Sequence, residues 1–191
     1  MIRRAALVAS VTLTALSLPA FAQDSGTLKK IKDSGTATMG VRESSGGLSF
    51  TVGDGKFAGF HVELCQRALA DVQKQLGLAK LDIKYQPVTS QNRIPLMQNG
   101  TIDIECGSTT NNATRQKDVS FAVTTYVEEV RIAVKANSGI TSIGQLNGKN
   151  VATTTGTTSV QHLRKHERSA GVNFNEVYGN CLLYTSPSPR D

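Results

Sequence analysis

Thr89-Ser90-Gln91-Asn92-Arg93 and Gly107-Ser108-Thr109-Thr110-Asn111-Asn112-Ala113-Thr114-Arg115 are the two blocks that decide how this chain is read. Both are rich in small hydroxyl and amide side chains, and each ends in an arginine. Each also follows a short apolar run: Ile83-Lys84-Tyr85-Gln86-Pro87-Val88 before the first, Ile102-Asp103-Ile104-Glu105 before the second. Such runs predict strands whose carboxyl ends carry the polar loops, with a helix opening after each loop. A helix N-terminus leaves backbone N–H groups unpaired and is the positive end of the helix dipole, so it draws anions. An arginine there adds a planar fork that grips a carboxylate at two points. Singly, each block could be a solvated polar loop. Together they predict a cleft for a small acidic ligand.

Outward from these blocks the chain alternates strands and helices. Residues 26–34 place Leu28 and Ile31 on one side of a short helix stopped by Gly35, and 36–41 read as a strand running into Arg42. Phe50-Thr51-Val52 and Lys56-Phe57-Ala58 flank Gly53-Asp54-Gly55, the signature of a hairpin. Over 60–76, Val62, Leu64, Cys65, Ala68, Leu69, Val72 and Leu76 recur at helical spacing, which predicts a helix laid on a sheet. Pro95 suits the first turn of a helix over 93–99, and Gly100 suits its stop. This alternation predicts an α/β unit with its loops at the strands' carboxyl ends. Downstream, 121–136 is long, β-branched and partly alternating, as expected of a segment that leaves one sheet and enters another. A helical turn at 142–146, a strand at 150–153, the polar loop Thr155-Gly156-Thr157-Thr158-Ser159, a basic helix over 160–169 and a strand at 173–177 begin a second α/β unit.

The ends read differently. A basic start (Arg3, Arg4), an apolar stretch over 5–19 and Ala20-Phe21-Ala22 have the form of a secretory signal peptide over 1–22. The stretch is too short to span a membrane. Residues 181–191 match, residue for residue, the in-frame translation of a transposase adapter used in DNA library preparation. They are read as a sequencing-adapter scar, with the natural chain cut near Asn180. Formal net charge is +6, spread along the chain, and aromatic residues make up 5%. With so few rings to stack bases, nucleic-acid binding is not expected. A mild cationic field helps an anion arrive but does not say which one. Apart from Cys181 the cysteines are Cys65 and Cys106. In an exported protein the pair invites one disulfide, closing a loop of about 40 residues and contributing roughly 4 kcal/mol by chain entropy. Two buried free thiols are the alternative.

Several blocks, in order and without large gaps, resemble a known family. They are Arg42-Glu43-Ser44-Ser45, 89–96, 99–103, 105–112, Arg115-Gln116-Lys117 and 155–159. They look like the periplasmic solute-binding proteins of polar amino-acid ABC importers, most of all the glutamate/aspartate-binding branch. The resemblance covers 26–180. It implies a two-lobed periplasmic binding protein of type II, an α/β fold with the first lobe (23–125) nearly complete. The crossover and the start of a truncated second lobe would occupy 126–180. By resemblance Arg42, Ser90, Arg93, Ser108, Thr110 and Arg115 line one jaw, with Thr157, Thr158 and Ser159 on the other. The implied ligand is L-glutamate or L-aspartate, and the implied partner is an inner-membrane ABC permease. A monomer without cofactor or metal is expected. Residues that would hold the ligand's ammonium group lie beyond Asn180.

Two rival classes keep the fold and change its use. A cleft enzyme resembling cyclohexadienyl dehydratase needs an acid or base facing the ligand, and Glu43, Asp103 and Glu105 are the candidates. Asp103 reads better as a strand–helix corner residue, and Glu43 as a charge partner of Arg42. A receptor's sensory domain would need a spanning segment downstream. His162-Leu163-Arg164-Lys165-His166 has metal-ligand spacing on a helix. It lacks the Glu of a metalloprotease and is crowded by positive charge, so a solvated face is expected there.

Overall fold

The computed structural model describes residues 26–180. The expected signal peptide at 1–22 and adapter scar at 181–191 lie outside the described residues.

Helix α1 (Gly26–Ser34) leads into strand β1 (Thr36–Val41), followed by the hairpin β2 (Phe50–Gly53) and β3 (Lys56–Ala58). Helix α2 (Phe60–Gln75), strand β4 (Asp82–Pro87), helix α3 (Arg93–Gln98) and strand β5 (Ile104–Cys106) complete the first unit. Strands β4, β1 and β5 form a parallel sheet in that order, with Val41 opposite Pro87 on one side and Cys106 on the other. A central parallel strand is covered on both faces, so it must be apolar throughout. Ala37, Met39, Gly40 and Val41 are accordingly buried.

Chain order explains which face each helix covers. The chain steps from β1 to β4 through α2, then back across β1 to β5 through α3. Right-handed crossovers in opposite directions put their helices on opposite faces. Val62 and Leu69 of α2 join Ile31 of α1 in a core against Ala37, Met39, Val41 and Cys106. The helical stripe is narrower than the sequence suggests, since Leu64 is 39% exposed. On the other face Gly40 lets Ile102 close in: a Cβ at 40 would lie 2.6 Å from Ile102 Cδ1. Cys65 and Cys106 are joined, Cα to Cα 6.3 Å, which ties α2 to β5.

Strand β5 starts two residues later than the sequence suggests, because Asp103 turns the corner before it. Its backbone N–H donates to Thr38 O, and its carboxylate accepts from Thr38 N and Lys30 Nζ, all at 2.8 Å. Asp103 is thus the corner residue expected, with both carboxylate oxygens already occupied.

The second unit comprises β6 (Asn150–Thr154), α4 (Thr158–Ala170) and β7 (Asn175–Gly179), preceded by a 3-10 turn at Ile143–Leu146. The two strands are parallel, and Leu146, Val151, Leu163 and Phe174 form a separate small core. Gly171 ends α4 in the left-handed conformation, with its N–H on Glu167 O. Between the units, 121–136 forms no strand, correcting the expectation of a sheet-to-sheet crossing strand. A strand needs a neighbour to satisfy its N–H and C=O groups, and none lies alongside among the described residues. Val123 and Val127 are each 85% exposed.

Candidate functional site

Parallel strands end at the same edge, so the loops that follow them converge there. Arg42 comes directly after β1; Ser90 and Arg93 follow β4; Ser108, Thr110 and Arg115 follow β5. The crevice lies where the chain order reverses about β1.

Each loop is held by its own side chains. Ser49 Oγ accepts from Arg42 N at 2.9 Å, fixing the backbone from which a buried Arg42 extends. Thr89 and Asn92 close their loop reciprocally: Asn92 Oδ1 accepts from Thr89 N at 2.8 Å, and Thr89 Oγ1 from Asn92 N at 3.2 Å. That loop delivers Arg93 into the interior, where the residue is 3% exposed. In the longer loop Asn112 Oδ1 accepts from Arg115 N at 2.9 Å. Here the expected helix fails to form. Only a 3-10 turn, Arg115–Lys117, follows, so Arg115 has no full helix dipole behind it. Asn112 caps this turn as an N-cap does, and Asn111 Oδ1 accepts from Gln116 Nε2 at 2.7 Å, but the turn goes no further than Lys117.

The three arginines sit close enough to feel one another. Burial pushes the Arg93 guanidinium down to about 10; Glu105 opposes that shift, while Arg115 and Arg42 add to it. Burial lowers Arg115 too, again opposed by Glu105. Among the described residues, Arg93 Nε, Glu105 Oε1 and Thr109 Oγ1 are buried without a hydrogen-bond partner. A buried unsatisfied group costs about 1–3 kcal/mol, more when charged. Orphans clustered at one sheet edge therefore favour a polar guest.

The loop after β6 meets this edge from the other unit. Arg115 Nη1 donates to Thr110 O at 2.9 Å and its Nη2 to Gly156 O at 3.2 Å, so one guanidinium bridges both loops. Thr110 and Thr158 hydroxyls lie 3.4 Å apart. Gly156 has φ +73°, and a Cβ there would fall 2.7 Å from Ser90 O. Thr157 Oγ1 donates to Thr154 O at 2.7 Å, and Thr158 and Ser159 are half-buried in the first turn of α4. An open hollow of about 500 Å³ lies beside this junction, lined by Arg115, Thr157, Arg164 and Tyr178 among others.

Of the nine residues expected from the sequence, Arg42, Ser90, Ser108, Thr110 and Thr157 stand in loops after strands, and Arg93, Arg115, Thr158 and Ser159 in the first turns that follow those loops. Four further residues meet these. Ser45 Oγ meets Ser108 Oγ at 3.0 Å; Glu105 sits among the arginines; Gly156 permits the close approach; His61 Nδ1–H donates to Gly107 O at 2.6 Å. Ser45 and Gly156 belong to the hydroxyl- and glycine-rich stretches 42–45 and 155–159, and Glu105 is one of the acidic candidates in the sequence. His61 gave no signal in the sequence beyond its place at the start of α2. Glu43 is exposed, and His162 and His166 lie on the exposed side of α4. Among the described residues no group of three or more His, Cys, Asp or Glu could hold a metal.

Residues 37–181 match the family model of the bacterial extracellular solute-binding proteins, family 3. The chain belongs to that family. This family 3 chain is 43% identical over 172 residues to the L-glutamate/L-aspartate-binding protein of Pseudomonas aeruginosa, covering 88% of this chain and 57% of that protein. It is 41% identical over 148 residues to the glutamate/aspartate import solute-binding protein of Escherichia coli, covering 78% and 49%. The chain therefore spans 57% and 49% of those two relatives. Among solved structures it is similar to an ancestral amino-acid-binding protein, a precursor of cyclohexadienyl dehydratase, with TM-score 0.68 and 28% identity. That match covers 83% of this chain and 66% of that one. An ancestral arginine-binding protein bound to arginine gives 0.61 and 27%, with coverage of 79% and 63%. The type II periplasmic binding fold expected from the sequence is the fold these comparisons support.

Proposed function

We propose that the whole protein binds L-glutamate or L-aspartate in the periplasm and delivers it to the permease of an ABC importer. One observation carries the reading: Arg42, Arg93 and Arg115 converge at a single sheet edge, with Arg93 Nε buried and lacking an acceptor. Relatives named for glutamate and aspartate support the choice of ligand. Residues 23–125 act as the first jaw, and 126–180 as the crossover and the start of the second. Residues 1–22 direct export, and the protein works as a monomer.

The chemistry follows from the donors. Carboxylates lie between the three guanidinium groups, whose charge is worth more once water is excluded. Hydroxyls of Ser90, Ser108 and Thr110 complete the first side. Thr157, Thr158 and Ser159, with the backbone N–H groups at the start of α4, close from the second. An amide in place of a carboxylate would set donors against donors and leave buried groups unpaired. A site built on such bonds can reject the wrong ligand by about 10⁴-fold. Binding rather than catalysis is the reading: Asp103 is committed to Lys30 and Thr38, Glu43 is exposed, and Glu105 acts as the counter-charge of Arg93 and Arg115.

Titration calorimetry on the protein expressed from its complete gene tests this reading. Glutamate or aspartate should bind one-to-one, with glutamine and asparagine at least about 100-fold weaker. Equal binding of glutamine would remove the acidic-ligand assignment.

A further inference from the structure

His61 stands in the first turn of α2, outside every loop assigned to the ligand, yet its imidazole touches two segments that must move together if the jaws close. Nδ1 lies 2.6 Å from Gly107 O, and Nε2 lies 2.8 Å from Thr125 Oγ1. A carbonyl only accepts, so Nδ1 carries the hydrogen, and a neutral ring then accepts the Thr125 hydroxyl at Nε2. Gly107 opens the loop that carries Ser108, Thr110 and Arg115. It is also pressed on Arg42: a Cβ at 107 would lie 2.5 Å from Arg42 Cγ and 2.5 Å from Glu105 Oε1. Displacing the Gly107 backbone would therefore shift the stem of Arg42. Thr125 lies in the exposed stretch that links the two units and pairs with no strand among the described residues. Gly107 and Thr125 hang on opposite sides of one rigid ring.

We propose that His61 is a positioning residue for closure, which fixes the ligand loop to the interlobe segment so that the two rearrange as one. This inference rests on the two-jaw reading above. When the lobes part, movement of the linking stretch pulls on Thr125 and, through His61, on the loop bearing Ser108 and Arg115. When they close, the same bonds set that loop in its binding arrangement. Release of ligand is then slowed by a bond that the ligand does not touch.

The test is stopped-flow dissociation of L-glutamate from the full-length protein and four variants: Thr125→Val, Thr125→Ser, His61→Asn and the double variant His61→Asn/Thr125→Val. Valine keeps the shape of threonine but cannot donate. Asparagine can still donate to Gly107 O but is too short to reach residue 125. Dissociation should quicken about five- to tenfold in Thr125→Val, the range of one net hydrogen bond. Thr125→Ser should behave as the parent. The double variant should be no faster than His61→Asn alone, because both changes break one bond. The melting temperature of the ligand-free Thr125→Val protein should stay unchanged, since the hydroxyl is exposed. Parental dissociation in Thr125→Val, or independent multiplication of the two effects, would overturn the proposal. If the parent binds neither glutamate nor aspartate, the proposed function fails, and hydrogen exchange at the amides of 108–112 decides the inference instead. Faster exchange in Thr125→Val would support it; unchanged exchange would refute it.

Discussion

The two parallel sheets among the described residues present the proposed ligand loops by the same device but with unequal support. In the first, β1 is flanked by strands on both sides and its faces are packed, and a disulfide pins α2 to β5. Its arginine donors are correspondingly sunk: Arg42 is 6% and Arg93 3% exposed. In the second, among the described residues, β6 has one neighbour, the core has four buried residues, and Val177 and Tyr178 of β7 are 46% and 41% exposed. A two-stranded sheet is marginal by itself. Its loop gains shape by leaning on the first unit, through the Arg115–Gly156 bond and the backbone contact of Gly156 with Ser90. Within residues 26–180 the loops of the first unit are held by its own packing, whereas the loop after β6 takes its place by contact with the first unit.

The largest way to break this comparison is to remove the disulfide. Cys65→Ala/Cys106→Ala should cost about 4 kcal/mol by the chain-entropy account, read by denaturant melts. Hydrogen exchange should quicken across α2 and β5 and stay unchanged across β6 and α4. Equal loosening of both units would mean that the first is not the independent scaffold.

Next comes the buried charge. Arg93→Met should weaken glutamate binding about 100-fold, the value of one to two charge-assisted bonds. The ligand-free protein should melt no lower than the parent, because replacing a buried charge by a similar apolar volume is neutral or stabilising. A lower melting point with intact affinity would make Arg93 a structural residue.

Gly156→Ala sharpens the same contrast from the other side. A left-handed backbone costs a non-glycine residue about 1–2 kcal/mol, and the new Cβ would meet Ser90 O. Glutamate affinity should fall about tenfold, with the melting of the first unit untouched. Unchanged affinity would show that the two loops need not meet. The smallest effect is expected at Lys74, whose pairing with Asp71 is 80% and 79% exposed. Lys74→Met should leave affinity within about twofold, since exposed pairs contribute little.

Much of this was legible in the sequence because strands and helices leave periodic traces. The bounds of α1 and β1 follow from Ile31, Gly35 and the apolar run of 37–41, and the cleft arginines follow from where the apolar runs stop. Three features were not legible for physical reasons. The second loop carries an N-cap-like bond at Asn112 yet closes after one short 3-10 turn, and a cap signal in the sequence does not say how far the turn it starts will run. The β-branched run at 121–136 has strand propensity but no strand alongside it among the described residues, and propensity alone makes no strand. His61, Ser45 and Gly156 act through contacts 46, 63 and more than 60 residues away along the chain, which no local pattern encodes.

On the proposed function, the buried guanidinium of Arg93 holds a ligand carboxylate. A crystal structure of the complete protein with L-glutamate measures this most directly, through the distance from Arg93 Nε to the nearest ligand oxygen. The account predicts a carboxylate oxygen within about 3 Å, with Arg42 and Arg115 on the same anionic groups. A glutamate seated elsewhere, with Arg93 Nε still lacking an acceptor, would contradict it.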